Sequence, residues 1–246
     1  MDENRTSEQA NSFGREVGAY DSARPGYPDA AVDWLVPAHA STVLDIGAGT
    51  GKFTRSLVLR GFGTIAVEPD LSMRQKLVES LPTVQALGGT AEAIPLPDDC
   101  VDTVTVAQAW HWMDHPVATA EIARVLRPGG TLGLVWNIRD ESVPWVKRLS
   151  DIIGSSDAER FVGGTVSVGE QFGPLEDAQF EWANTIDVES LVQLVASRSS
   201  IITATDEERA ATLAAVRELA ASDPALAGRE TFELPYRTHC FRAVLR

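Results

Sequence analysis

The segment VLDIGAGTGKF, Val43 to Phe53, decides the fold. An apolar run of strand character ends at Ile46, glycines follow at 47, 49 and 51, and an amphipathic stretch starts at Lys52. Glycine at these places lets the chain turn sharply from strand to helix. It also lets a ligand come within contact distance, where a Cβ would collide. A phosphate-binding P-loop would need GxxxxGK followed by Ser or Thr. Here Phe53 follows Lys52 and Ile46 stands five before Gly51, so the phosphate spacing and the magnesium ligand are both missing. A dinucleotide GxGxxG turn would need glycine where Lys52 stands.

Outward from this turn, short apolar runs alternate with amphipathic segments: KFTRSLVLRG, TIAVE, LSMRQKLVESL, TVQALGG, then the strand-like VDTVTVAQA. Alternation of this kind predicts a parallel sheet flanked by helices. A helix is predicted over Asp114 to Arg127, with Ala118, Ile122, Val125 and Leu126 on one face and RPGG as its stop. Asp114 precedes a proline in the first turn and is expected to cap that helix. TLGLVWN reads as a strand, Val143 to Ile153 as a helix, and residues 154–174 as a glycine-rich connection. AQFEWANTID then alternates like a strand. One helix follows with Val188, Leu191, Val192 and Val195 on one side, and another opens with Thr205 and Glu208 spaced as a capping box. TFELPYRTHCFRAVL is the last strand-like run, which makes about seven strands without an internal repeat. Ahead of the sheet, residues 1–12 are polar and unpatterned, and Phe13, Val17 and Tyr20 suit one face of a helix that ARPGYP would stop.

The chain has 246 residues, 44% of them hydrophobic, which suits one large domain. Its 21 Lys and Arg stand against 35 Asp and Glu, a net charge of −14, so nucleic acid and anionic membrane are poor partners. No run reaches the roughly 18 to 20 apolar residues of a membrane helix, and MDENRTSEQANS lacks the pattern of a signal peptide. A cytoplasmic protein is expected. Cys100 and Cys240 lie far apart, with no CxxC or Cys/His cluster, so neither a disulfide framework nor a metal site is indicated.

Asp45, Gly47, Gly49 and Gly51 make DxGxGxG, which resembles the first motif of class I S-adenosylmethionine-dependent methyltransferases. The resemblance continues in Glu68, about twenty residues after the first glycine, in GGTAEAIPLPDDCVDTVTVAQAWHW, and in LRPGGTLGLV. It covers roughly residues 40 to 140. It implies a Rossmann-like, doubly wound, seven-stranded α/β sheet, mostly parallel with the last strand antiparallel, and a small helical insertion before that strand. Within one domain over 13–246, it implies an N-terminal cap at 13–40, a cofactor-binding core at 41–140 and a helical lid at 188–222. The cofactor would be S-adenosyl-L-methionine, leaving S-adenosyl-L-homocysteine as product. By the same resemblance, Asp45 orients the glycine turn or reaches the methionine amino group. Gly47, Ala48, Gly49 and Gly51 form the cradle, and Glu68 holds the ribose beside Pro69. Ala91 and Glu92 border the adenine, while Gln108 and Ala109 line the methionine end.

AQAWHW is similar to a subgroup that resembles trans-aconitate methyltransferases and related small-molecule enzymes, in which this segment borders the acceptor. His111 would then be a general base or a wall of the pocket. Trp110 and Trp112 point to opposite sides if the strand continues, one toward the core and one toward the pocket. The subgroup resemblance also makes Tyr20 and Arg24 candidates for the cofactor's carboxylate or the acceptor, and Arg198 a candidate to enter the pocket. No NPPY or DPPY follows the fourth strand, which with the acidic charge favours a small acceptor methylated on oxygen. Methylation on nitrogen or carbon, a macromolecular acceptor and an inactive cofactor-binding partner protein are the alternatives. A monomer or homodimer is expected.

Overall fold

The computed structural model describes residues 24–246. Tyr20 and the helix expected over Phe13 to Tyr20 lie outside the described residues. The first element is a helix missing from the sequence reading, α1 (Asp29–Leu35), which starts after Pro28 and buries Ala31, Val32 and Leu35. Its spacing of apolar positions is helical, but seven residues make a weak signal.

Four parallel strands follow: β1 (Thr42–Ile46), β2 (Gly63–Val67), β3 (Gln85–Leu87) and β4 (Val101–Ala107). Val43, Leu44 and Ile46 are at most 1% exposed because β1 lies between β2 and β4. Between them run α2 (Lys52–Leu59) and α3 (Leu71–Ser80). After β4 the chain makes one 3-10 turn, Trp110–Trp112, then enters α4 (His115–Val125), and β5 (Leu126–Arg139) pairs parallel with β4. Asp114 caps α4 as expected, its carboxylate accepting from the Val117 amide at 3.3 Å.

Next come α5 (Pro144–Ile153) and α6 (Asp157–Val162), the latter inside the stretch read as a plain glycine-rich connection. They are followed by β6 (Glu176–Ile186), α7 (Val188–Ala196), the four-residue α8 (Ser199–Ile202), α9 (Asp206–Ser222) and β7 (Phe232–Val244). Thr205 and Glu208 form the expected capping box at the start of α9. The described strands number seven, in the order β3-β2-β1-β4-β5-β7-β6, with the last strands antiparallel. The expected α/β sheet is the one found.

The chain divides into two compact units. One comprises residues 26–137, 161–180 and 238–246. Its core joins Val32 and Leu35 of α1 to Val43, Phe53, Leu57 and Val135, and a second cluster joins Ala66 to Leu77 of α3 and to Leu81 just after it. The other comprises residues 138–160 and 181–237 together with the segment ending at Pro25. There, Val146 and Leu149 of α5 pack with Leu191 and Val195 of α7, Val216 and Leu219 of α9, and Leu234 and Tyr236 of β7. Among the described residues no helix is long and apolar enough to cross a membrane, and no group of three or more His, Cys, Asp or Glu is placed to hold a metal ion.

Candidate active site

The glycine turn sits where β1 ends and α2 begins. Gly47, Gly49 and Gly51 all have positive φ, at 65°, 57° and 90°. For Gly47 there is a second constraint, because a Cβ there would stand 2.8 Å from the Cβ of Ala109. Real Cβ atoms do not approach so closely, so the turn and the segment after β4 touch only because residue 47 has no side chain. The amides of Gly47 and Ala48 both donate to Val67 O, at 2.9 and 3.2 Å, which ties the turn to the end of β2.

Glu68 follows at that end, buried to 6% exposure. Its Oε2 accepts from the Gly49 amide at 2.8 Å and its Oε1 from the Asp70 amide at 2.9 Å. The carboxylate thus fastens the glycine turn to the start of α3, and each oxygen keeps a second lone pair for a ligand hydroxyl. Burial raises its titration, opposed by the Asp70 and Gly49 amides. Pro69 is exposed, and Asp70 caps α3 through the Met73 amide at 2.9 Å.

Asp45 lies beneath the turn and is wholly buried. Thr54 Oγ1 donates to its Oδ2 at 2.6 Å and Thr105 Oγ1 to its Oδ1 at 3.1 Å. Burial pushes the carboxyl up to about 7, further raised by the Glu68 charge and held back by the two threonines. Buried in this way, the carboxyl is held nearer neutrality than a free one.

Ala91 is 3% exposed within the loop between β3 and β4. Glu92 is half-buried, and its Oε1 accepts from the Asp114 amide at 2.9 Å, so it tethers the loop to the chain entering α4. A second tether was not read from the sequence. Arg124 of α4 donates to Ile94 O at 3.0 Å and Leu96 O at 2.8 Å, and Glu121 accepts from the Ile94 amide at 3.0 Å. Gln108, directly after β4, holds φ 59°, an uncommon conformation for a residue with a side chain. Its Nε2 donates to Asn137 O at 3.4 Å. Strain of this kind persists where surrounding contacts enforce it, which happens most at ligand sites.

Because the chain bends into a 3-10 turn at Trp110, the two tryptophans do not alternate as they would on a strand. Trp110 is completely buried and stacks on His115 with ring centroids 4.8 Å apart, so it belongs to the core and not to the pocket wall. Trp112 and His111 are half-buried, with ring centroids 4.8 Å apart. Trp136 of β5 donates from Nε1 to His111 Nδ1 at 3.3 Å, and Phe161 packs near both rings. Neither Trp136 nor Phe161 was legible as a neighbour of His111, since 25 and 50 residues separate them from it in sequence. Arg24 and Arg198 fall in the other unit, where the Arg24 Nη2 donates to Ser197 O at 3.2 Å.

The sequence profile described as "Methyltransferase domain" matches residues 44–134, the stretch from β1 into β5 that carries this geometry. The chain belongs to the class I S-adenosylmethionine-dependent methyltransferases. It is 52% identical over 234 residues to an uncharacterized methyltransferase from Mycobacterium tuberculosis, covering 95% of this chain and 96% of that one. It is 38% identical to an uncharacterized methyltransferase-like protein from Schizosaccharomyces pombe, with 94% of each chain covered. Among solved structures, one described as a type II methyltransferase from Anaeromyxobacter dehalogenans superposes with a TM-score of 0.61 at 23% identity, over 91% of this chain and 97% of that one. The cofactor is therefore S-adenosylmethionine. The residues at the turn suit it, since they offer a cradle without side chains, an acid with free lone pairs at the end of β2, and a second acid beneath.

Proposed function

We propose that the chain transfers the methyl group of S-adenosylmethionine to an oxygen of a small-molecule acceptor, with the donor held at the turn over Asp45 to Gly51. In this reading Glu68 receives the ribose hydroxyls, Ala91 and Glu92 border the adenine, and Gln108 and Ala109 line the methionine end. When bound, the cofactor supplies an electrophilic methyl on a cationic sulfur, so displacement needs a collinear, dry approach more than it needs a base.

The observation that carries the acceptor side is the hydrogen bond from Trp136 to His111. With Nδ1 engaged as an acceptor, the neutral ring carries its proton on Nε2 and presents a donor. A donor suits an acceptor oxygen that already holds its negative charge, whereas a base would need an unprotonated Nε2. His111 is thus assigned to orienting the acceptor, with Trp112 and Phe161 closing its surroundings against water.

The test is a turnover screen using S-adenosylmethionine labelled on the methyl, small-molecule extracts as acceptors, and mass detection of the product. His111→Gln keeps an N–H donor and should retain most of the rate, while His111→Phe should lose about one to two orders of magnitude. If both variants lose the rate equally, and the wild-type rate climbs through the histidine titration while the variants stay flat, His111 is a base instead. Labelling of added nucleic acid or protein, with no small product, would overturn the acceptor class.

A further inference from the structure

Between β3 and β4 the loop over residues 88–100 owes its shape to α4. Its sequence, GGTAEAIPLPDDC, forms one isolated bridge, Thr90 to Ala93. The loop folds tightly on itself, since a Cβ on Gly89 would stand 2.8 Å from Pro95 Cδ. Arg124, in the last turn of α4, meets it with every donor it has. Its Nε donates to Glu121 Oε1 at 2.8 Å and its Nη2 to Glu121 Oε2 at 2.8 Å, a forked pair between neighbours on the helix. The other Nη2 hydrogen goes to Ile94 O at 3.0 Å, and those on Nη1 go to Leu96 O and Asp98 Oδ1, both at 2.8 Å. All five N–H bonds of the guanidinium are thereby used. Glu121 Oε2 also accepts from the Ile94 amide at 3.0 Å, so Ile94 is held through both its N–H and its C=O.

The two carbonyls lie ahead of Pro95 and Pro97. Proline fixes its own φ and restricts the residue before it, so pinning Ile94 O and Leu96 O leaves residues 94–97 a single path. Further along, the Asp99 amide donates to Arg124 O at 3.0 Å and the Cys100 amide to Val125 O at 2.9 Å, with Asp99 at φ 51°. On the earlier side, Glu92 accepts from the Asp114 amide at 2.9 Å. Ala91 and Ile94 are buried, while the side chains of Arg124, Glu121 and Asp98 are 30%, 24% and 72% exposed. Ion pairs so open to water contribute little to stability. Directed bonds at a partly wetted surface therefore fix a position more than they hold the fold together, and what they fix is the loop that carries Ala91 and Glu92.

Resting on the reading above, in which Ala91 and Glu92 border the adenine, we propose that Arg124 and Glu121 are positioning residues for the methyl donor. By clamping residues 94–98 they place Ala91 and Glu92 where the loop reads the adenine edge. They act through the loop backbone rather than on the base itself, and so govern which base is accepted as well as how tightly. Adenine presents a ring-nitrogen acceptor beside an amino donor, whereas hypoxanthine presents a ring N–H beside a carbonyl. A loop held in place for one is mismatched for the other, and a loosened loop distinguishes them less.

Calorimetric titration of the full chain with S-adenosylhomocysteine and with S-inosylhomocysteine, its hypoxanthine counterpart, tests the clamp. The wild type should favour the adenine compound by at least about tenfold, the effect of matched against mismatched hydrogen bonds. Arg124→Lys keeps the charge but loses the fork. It should weaken S-adenosylhomocysteine about tenfold and bring the two affinities within about threefold of each other. Glu121→Ala should behave alike, whereas Glu121→Gln keeps an oxygen for the Ile94 amide and should lie between it and the wild type. Thermal unfolding of the same samples reports that each variant is folded, and Glu121→Gln, the mildest change, carries the test if another variant does not fold. A preference for adenine that is unchanged in the folded variants, even with both affinities lowered, overturns the proposal and leaves the adenine reading standing. A wild type that does not distinguish the two compounds overturns it together with that reading, by removing the adenine from this loop.

Discussion

Replacing Asp45 by asparagine should make the protein more stable at neutral pH and less so, relative to wild type, in acid. The carboxyl is wholly buried and its titration stands at about 7 in the folded chain, against 3.8 for the unperturbed group. A folded value raised above the unfolded one contributes stability that is complete below the unfolded value and is lost as pH climbs through the folded value. From pH 5 to pH 8 the wild type crosses about two units of that window, which at 1.36 kcal/mol per unit is about 3 kcal/mol. Asparagine does not titrate and is nearly the same size. Its Oδ1 can accept from Thr54 Oγ1, while its Nδ2 can donate to Thr105 Oγ1, which is itself 3.4 Å from Leu44 O. The second Nδ2 hydrogen has no partner among these groups, a cost that is the same at every pH and so leaves the pH dependence of the difference unchanged. Urea unfolding of both proteins at pH 5, 6, 7 and 8 should therefore show the stability difference opening by about 3 kcal/mol in favour of Asp45→Asn, with equal slopes in denaturant. A difference that stays constant over this range would refute the claim that Asp45 is held near its titration point. If the difference opens as expected, the natural residue is costly to stability at neutral pH and retained for its charge, so donor affinity should fall in the same variant.

Gly47→Ala should cost about 2 to 4 kcal/mol, combining a left-handed φ with a Cβ forced against Ala109, whereas Gly61→Ala, at φ 82° with nothing within 4 Å, should cost about 1 kcal/mol. Equal losses in thermal unfolding would show that the close approach at Gly47 is unimportant. Glu68→Ala should weaken S-adenosylmethionine binding by about 1 to 3 kcal/mol, because the Gly49 and Asp70 amides lose their acceptor and, in the proposed site, the ribose does too; an unchanged calorimetric affinity would take the ribose away from Glu68.

Much of the fold was legible because its signals are short in range. A buried strand, three glycines, an amphipathic helix and an acid at the next strand end depend on neighbours a few residues apart, as do the Asp114 cap and the Thr205 and Glu208 capping box. Elements below about two turns were harder. The helices α1 and α6 add few apolar positions to any period, and the glycines around α6 masked it. The tryptophans show how a local rule fails when the backbone changes: alternation assumes a strand, but Gln108 turns to positive φ and the next residues wind into a 3-10 turn, which sends Trp110 inward.

By itself, the sequence determined the layered sheet, the glycine turn and the acid beside it, and through them the methyl donor. Only the tertiary structure decided which polar groups meet. Trp136 reaches His111 across 25 residues, and the Glu92 carboxylate finds the Asp114 amide across 22. Arg139 and Arg198 meet at Glu159 from distant elements. The physical reason is that secondary structure follows from periodic burial and local backbone preference, whereas hydrogen bonds and ion pairs between side chains depend on where the topology sets each element down.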